Sequence, residues 1–327
     1  MAGIRRGSTD YSLLIGVKKP VGITSHDCVS KIRRIFGEKR VGHAGTLDPF
    51  ASGVLPILVG PATKLMSYFH TYDKEYIAGI KFGSRTNTDD LEGEVIESGL
   101  PSEELFDEEF ARKILQQFLG KHMQMPPQYS AIKVGGVKSY NAARQGLELE
   151  LREREVTIEE ARLLSIEKDY SKACEPIWFV HFEVTSGTYI RSIARDIGQC
   201  VGVPAHLCSL SRMKVANIGL DDCYSFDEIE ELKGKSAIDP VLALAEHPII
   251  MDECMASKVS NGVILSEQEI KDHTNISEYR DFDIYNSKLL ICSKTKLQGI
   301  YAYNERKCVF VPECIFSIGV SRGLSNN

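Results

Sequence analysis

Between Val41 and Pro49 the chain reads Val-Gly-His-Ala-Gly-Thr-Leu-Asp-Pro, a loop carrying one carboxylate, Asp48. Gly42 and Gly45 open backbone angles closed to other residues and let a partner come close. Pro49 pushes Asp48 out of the helical region toward an extended conformation. An aspartate so placed, between the apolar side chains of Leu47 and Phe50, is either a turn or cap residue or a functional carboxylate held fixed on a rigid loop. His43 shares the loop. Two further groups have chemical potential. Tyr76 lies in an alternating run and is either a core tyrosine or an aromatic face. Arg191 lies four residues before Arg195, which places both on one face if the segment is helical. No P-loop, dinucleotide fingerprint or clustered metal ligands are present. The nine cysteines include no C-x-x-C pair, which fits free thiols in a reducing cytosol.

The elements that must hold these groups can be read from periodicity. Tyr11 to Lys19 reads as a strand running into the turn Pro20-Val21-Gly22. Ser25 is placed to cap a helix through Phe36, with Val29, Ile32, Ile35 and Phe36 on one face and Gly37 as its stop. An apolar strand spans Val54 to Val59, and Pro61 opens a helix carrying Leu65, Tyr68 and Phe69. Tyr76, Ala78, Ile80 and Phe82 alternate, the pattern of a strand with one buried face. Asp107 to Leu119 is an amphipathic helix stopped by Gly120. Val156 to Ile166 and Ile177 to Thr185 read as strands, and Thr188 to Cys200 as a helix. Without a regular βαβ period, the expected class is α+β with a mixed, mainly antiparallel central sheet. After residue 245 short β-rich runs follow, Phe282 to Tyr285, Lys288 to Cys292, Gln298 to Tyr303 and Lys307 to Val311, with Asn286-Ser287 and Asn304-Glu305 between them. Residues 1–245 and 246–327 are therefore expected to be separate domains.

The chain has 327 residues, 43% hydrophobic and 26% charged, the balance of a soluble globular protein with a sizeable core. No apolar run reaches the ~18 residues of a membrane-spanning helix, and the polar, basic first ten residues do not read as a secretory signal. The expected location is cytoplasmic. Net charge is −6, but its distribution is bipolar. Residues 1–72 carry ten Lys/Arg against four Asp/Glu, and residues 121–146 carry four Lys/Arg and no acid. Residues 89–110 carry ten acids and no base, and residues 220–285 sixteen acids against five bases. A polyanion responds to the surface facing it, since charges beyond ~8–10 Å are largely screened, so the basic segments are compatible with RNA.

The Asp48 loop, continued as Phe50-Ala51-Ser52-Gly53-Val54-Leu55, closely resembles the aspartate loop of the TruB family of tRNA pseudouridine synthases. Lys19-Pro20-Val21-Gly22-Ile23-Thr24-Ser25 is similar to the family's N-terminal K-P-x-G-x-T-S segment, and Lys74-Glu75-Tyr76 to its tyrosine strand. Gly83 to Gly93 (GSRTNTDDLEG) resembles the loop after that strand. Pro126 to Lys133, with Tyr140 and Ala143 to Gly146, resembles an RNA-gripping insertion at about 121–150. Ser186-Gly187-Thr188-Tyr189-Ile190-Arg191 is similar to the family's S-G-T-Y-I-R segment. These motifs run in order over about residues 11–220. In the last 80 residues only Asn261-Gly262 echoes the family's C-terminal PUA-like RNA-binding domain. One departure is local: where the family has Leu-x-Arg-x-x-x-Gly, the chain has Leu210 to Ala216, with alanine in the glycine's place.

The resemblance implies the pseudouridine synthase fold, a PUA-like domain at 246–327, and conversion of a T-loop uridine of tRNA, position 55 by the family's name, to pseudouridine. It implies no cofactor and no metal. The partner is the tRNA T arm, with no membrane, no obligatory protein partner and a monomeric enzyme. The implied catalytic residues are Asp48 at C1′, Tyr76 against the extruded uracil with its hydroxyl placed to take the C5 proton, and Arg191 as the guanidinium that keeps the carboxylate ionised. On the RNA side the resemblance implies Lys19, Pro20, His43, Lys64, Lys133, Arg144 and Tyr189, with His43 assisting base extrusion. Two other readings stay open: a guide-RNA-dependent enzyme of the dyskerin type, and a non-catalytic tRNA-binding or folding module.

Overall fold

The computed structural model describes residues 9–130, 132–143, 147, 149–169, 175–244, 249–251, 253–273 and 285–323. Arg144, Gln145, Gly146 and the run from Phe282 to Ile284 lie outside the described residues. The chain packs as two compact units: Met1–Asp48, Gly53–His70 and Val215–Asn327 form one, and Pro49–Ser52 with Thr71–Lys214 the other. Among the described residues no helix is long and apolar enough to cross a membrane.

In the first unit the strand Leu13–Lys19 is buried at every position except Lys18. It pairs antiparallel with the strand Ser52–Val59, parallel with Cys223–Tyr224 and antiparallel with Ala237–Ile238, so the sheet is mixed. A strand covered on both faces carries a near-continuous apolar run in place of alternation. The helix Ser25–Phe36 lays Cys28, Val29, Ile32 and Phe36 onto Leu13, Ile15, Val17, Leu55, Ile57 and Val59. Gly37 ends it in the left-handed region at φ 63°. Its cap differs from the expectation. Thr24, not Ser25, is the N-cap, because Asp27 completes a reciprocal capping box with it and leaves the Ser25 hydroxyl free to turn inward.

The same unit holds a five-stranded sheet within 246–327, ordered Ile249–Met251, Lys288–Cys292, Lys296–Asn304, Val309–Ser321 and Leu265–Ser266. Its core is Val259, Leu265, Ile270, Leu289, Ile291, Tyr301 and Phe310. Tyr285, expected at the end of a strand, lies in a turn. The last long strand runs well past the expected Val311. Pro312 reads as a strand breaker, but it sits at a register shift, Ile300 facing Cys314 and Tyr301 facing Pro312, where a missing N–H costs the ladder little. Arg322, nearly buried, makes a bidentate pair with the buried Asp239.

The second unit is built on a sheet ordered Ala205–Val215, Lys74–Phe82, Glu175–Val184, Arg154–Asp169 and Gly120–Gln124, antiparallel from Lys74–Phe82 outward. Phe82, Trp178, Val180 and Phe182 are fully buried, and the Trp178 indole N–H donates to the Leu105 carbonyl at 2.7 Å. The helix Glu108–Gln116, capped by Asp107, packs on the strand Arg154–Asp169, and ends three residues before the expected Leu119. The helix Ile190–Val201 packs against the tyrosine strand Lys74–Phe82. Helices beside largely antiparallel and mixed strands make the α+β class observed.

Ala216, standing where the resemblance expects glycine, has φ 51°. A side chain in this region costs roughly 1 kcal/mol, and glycine's greater freedom when unfolded offsets roughly half of that or more. Ala216→Gly is therefore expected to leave the melting temperature unchanged or raise it. A fall in melting temperature would show that this turn is unstrained.

Candidate active site

The Asp48 loop is held from below by a serine. The strand Val41–His43 pairs with Ser52–Val59, and the Ala44 N–H donates to the Pro56 carbonyl at 2.9 Å. Gly45 adopts φ 105°, a conformation that favours glycine, whereas a side chain at Gly42 would meet the end of the flexible Met66 thioether at 2.6 Å, so the need for glycine in this loop falls on Gly45. The Ser25 hydroxyl then accepts from the Leu47 N–H at 2.8 Å and donates to the Leu47 carbonyl at 3.0 Å. Both bonds are buried, and they clamp the residue immediately before Asp48. Asp48 and His43 themselves are half-buried, between the buried Leu47 and Phe50.

Tyr76 is 7% exposed and stands opposite the buried Phe182 on the neighbouring strand. Alternation therefore assigned its face correctly. At the start of its strand Lys74 is nearly buried, with its ammonium on the Tyr72 carbonyl at 2.5 Å. Burial, with the Arg212 guanidinium adding to it, pulls this ammonium down to about 8. Glu75, on the opposite face, pairs with Lys214 at 3.0 Å and faces His181 at 3.4 Å.

Arg191 and Arg195 share the first turns of the helix Ile190–Val201, both nearly buried, and each pairs with a carboxylate of the 83–93 loop, Arg195 also with Asp196 at 2.8 Å. Arg191 Nη1 lies 3.2 Å from Asp90 Oδ2 and donates to the Thr88 carbonyl at 3.0 Å, while Nη2 donates to the Tyr129 carbonyl at 2.9 Å. Arg195 Nη1 lies 3.2 Å from Asp89 Oδ2, and its Nη2 donates to the Met125 carbonyl at 3.0 Å. Asp90 also accepts from the Thr88 hydroxyl at 2.6 Å and the Glu92 N–H at 3.0 Å. Asp89 and Asp90 are functional candidates that sequence reasoning passed over. The signal was present as adjacent acids in the loop GSRTNTDDLEG, with two arginines at helical spacing elsewhere.

The start of this helix is fastened to the insertion. The Tyr189 N–H donates to Gln124 Oε1 at 2.9 Å, and Gln124 Nε2 donates back to the Tyr189 carbonyl at 3.1 Å. The Arg154 guanidinium lies 4.5 Å from the Tyr189 ring centroid. Within the insertion, Lys133–Val134 and Val137–Lys138 form a hairpin whose turn is Gly135-Gly136, both at positive φ. Gln128 bridges to Leu149 through both its amide atoms. Of the other residues expected at RNA, Pro20 is exposed. Lys64 is exposed and donates to the Ile315 carbonyl at 2.6 Å. Lys19 is 1% exposed with its ammonium on the Pro20 carbonyl at 3.0 Å, so it is no surface cation. Tyr76, Arg191 and Tyr189 belong to one compact unit, and Asp48, His43, Lys19, Pro20 and Lys64 to the other.

Residues 33–190 match the family model described as TruB family pseudouridylate synthase (N terminal domain). The chain is 40% identical over 259 residues to tRNA pseudouridine synthase B of Bacillus subtilis, covering 77% of this chain and 82% of that protein. The chain belongs to the TruB family. It is 38% identical over 274 residues to the protein of the same name from Caldanaerobacter subterraneus subsp. tengcongensis, covering 83% of this chain and 92% of the relative. Among solved structures it is similar in fold to the archaeal box H/ACA sRNP Nop10-Cbf5 complex, with a TM-score of 0.62, 20% identity and coverage of 94% of this chain and 86% of that one. A TruB-family chain with this fold is a pseudouridine synthase, an isomerase that breaks the N1–C1′ bond of a uridine and joins C5 to C1′.

Proposed function

We propose that the protein converts the T-loop uridine of tRNA, position 55, to pseudouridine, acting alone on the T arm in the cytoplasm and as a monomer. The tRNA follows from the names of relatives about 40% identical over most of the chain. The observation that supports a working enzyme over a mere RNA-binding module is the Asp48 loop. Two buried hydrogen bonds from Ser25 hold the backbone next to the carboxylate, a cost in fixed geometry that suits a reacting group.

In this reading the Asp48 carboxylate meets positive charge at C1′, as nucleophile or by drawing a proton from the sugar. The proton lost from C5 is balanced by one gained at N1, so the product is an isomer and no co-reactant is consumed. Arg191 supplies the guanidinium that favours an ionised carboxylate. Tyr76 compensates the extruded base by stacking, worth ~1–3 kcal/mol, and its hydroxyl takes the C5 proton. His43 assists extrusion. Pro20, Lys64, Lys133, Arg144 and Tyr189 contact the RNA, and Lys19, being buried, acts by fixing the turn at residues 20–22. The insertion and the sheet within 246–327, read as a PUA-like domain, grip the hairpin.

Incubating the purified chain with a synthetic T-arm hairpin and mapping the product by mass and chemical modification tests this. Pseudouridine at the T-loop position, without guide RNA or added protein, is the expected result. Activity only with a guide RNA and partner proteins would favour the dyskerin-type reading. Binding without turnover would favour the non-catalytic module.

Tyr76→Phe keeps the stacking face and removes the hydroxyl. RNA affinity is expected to stay within about twofold and single-turnover rate to fall roughly 10²–10³-fold, the range for general acid–base groups. Undiminished turnover would remove the proton-transfer role. Ser25→Ala removes both clamps on Leu47 and is expected to lower kcat by about tenfold with KM changed little, and to lower the melting temperature as well, since the buried Leu47 N–H and carbonyl lose that partner at about 1–3 kcal/mol each. A loss confined to melting temperature would make Ser25 purely structural.

A further inference from the structure

The acidic segment after the Arg191-binding loop has no part in the proposed reaction, and its geometry is unusual. The strands Ser84–Thr86 and Val95–Ser98 form a two-stranded hairpin, with Ser84 facing Ser98 and Arg85 facing Glu97. Its inner end is pinned: the Gly99 N–H donates to the Gly83 carbonyl, the Asp89 carbonyl accepts from the Leu207 N–H, and the carboxylates of Asp89 and Asp90 lie in buried ion pairs. Its outer strand is exposed at all four residues and, among the described residues, has no strand on its other side. Four apolar side chains stand out of this short stretch, Leu91 at 49%, Val95 at 53%, Ile96 at 56% and Leu100 at 92% exposure. Exposed apolar residues scattered singly need no explanation, but four within ten residues, two of them on an open strand edge, do.

The surrounding charge narrows what can cover them. Glu92, Glu94, Glu97, Glu103 and Glu104 are all exposed, and no lysine or arginine occurs between Thr86 and Ala111. RNA is repelled by such a surface. A second copy docking edge to edge would bring glutamates against glutamates, and like charges directly opposite destabilise a pair of strands. The complementary occupant is an extended segment alternating Lys or Arg with apolar residues. It would take main-chain hydrogen bonds from the free edge, apolar contact from Val95, Ile96 and Leu100, and ion pairs from the glutamates. We propose that the outer edge of the 84–98 hairpin is a docking site for a basic, extended segment of a protein partner, which adds to it as a third strand.

The test uses the full chain and a labelled ten-residue peptide alternating lysine and valine. Anisotropy is expected to show binding that weakens with salt, and amide exchange is expected to slow at residues 95–98. A peptide of the same sequence with every backbone amide N-methylated cannot donate a strand's hydrogen bonds from either edge and is expected to bind at least about tenfold more weakly. The double variant Glu94→Lys, Glu97→Lys is expected to lose at least about tenfold in affinity while forming pseudouridine at the unaltered rate, so this inference and the catalytic reading fail separately. Equal binding by the N-methylated peptide or by the double variant would overturn the proposal. So would protection appearing elsewhere, self-association through the hairpin, or protection of residues 95–98 by T-arm RNA.

Discussion

Asp48→Asn is expected to abolish pseudouridine formation, with a rate loss of roughly 10⁴-fold or more, while binding of a T-arm hairpin changes by less than about threefold. The scale is that of residues acting directly in bond making. The asymmetry follows from the chemistry: asparagine matches the carboxylate in size, and Leu47, which Ser25 clamps, is untouched, so the loop keeps its shape. What is lost is the full negative charge, and with it both routes open to the group, attack at C1′ and proton abstraction. Quench-flow with tritium release or mass detection measures the rate, and filter binding measures affinity. Turnover within tenfold of the parent protein would remove Asp48 from the mechanism.

Arg191→Met is expected to lose activity and also to cost about 3 kcal/mol of stability. Arg191 and Asp90 side chains are 6% and 5% exposed, and stranding one member of a buried pair costs about 3–5 kcal/mol. The lower end applies because the Thr88 hydroxyl and the Glu92 N–H still donate to Asp90. The double variant Arg191→Met, Asp90→Asn removes both charges while keeping an oxygen that accepts from the Thr88 hydroxyl and the Glu92 N–H, and is expected to recover much of the stability but none of the activity. Thermal melts and single-turnover assays on the single and double variants separate the two roles. Recovered turnover in the double variant would make Arg191 a folding residue only.

Much of this molecule is legible in one dimension. Alternation over Tyr76, Ala78, Ile80 and Phe82 identifies a strand and its buried face, because side chains on a pleated strand point alternately to opposite sides. The spacing of Val29, Ile32 and Phe36 identifies the helix face that meets the sheet. Asp48 and Gly45 declare a shaped loop. These are local properties, carried by residues within a few positions of each other. The extension of the last long strand through Pro312 was not legible, because the bulge that accommodates proline is a matter of register against another strand.

By itself the sequence determined the elements, the buried faces and, through ordered motifs, the TruB family. Tertiary structure alone decided which groups meet. Ser25 looks like a cap, yet it clamps Leu47 twenty-two residues away, since Thr24 and Asp27 already satisfy the helix start. Arg191 finds Asp90 and Thr88 about a hundred residues earlier, and Lys19, basic in any composition count, is buried. Periodicity reports that a face is covered. It carries no information on what covers it, because that depends on chain closure over distances at which sequence spacing no longer constrains position.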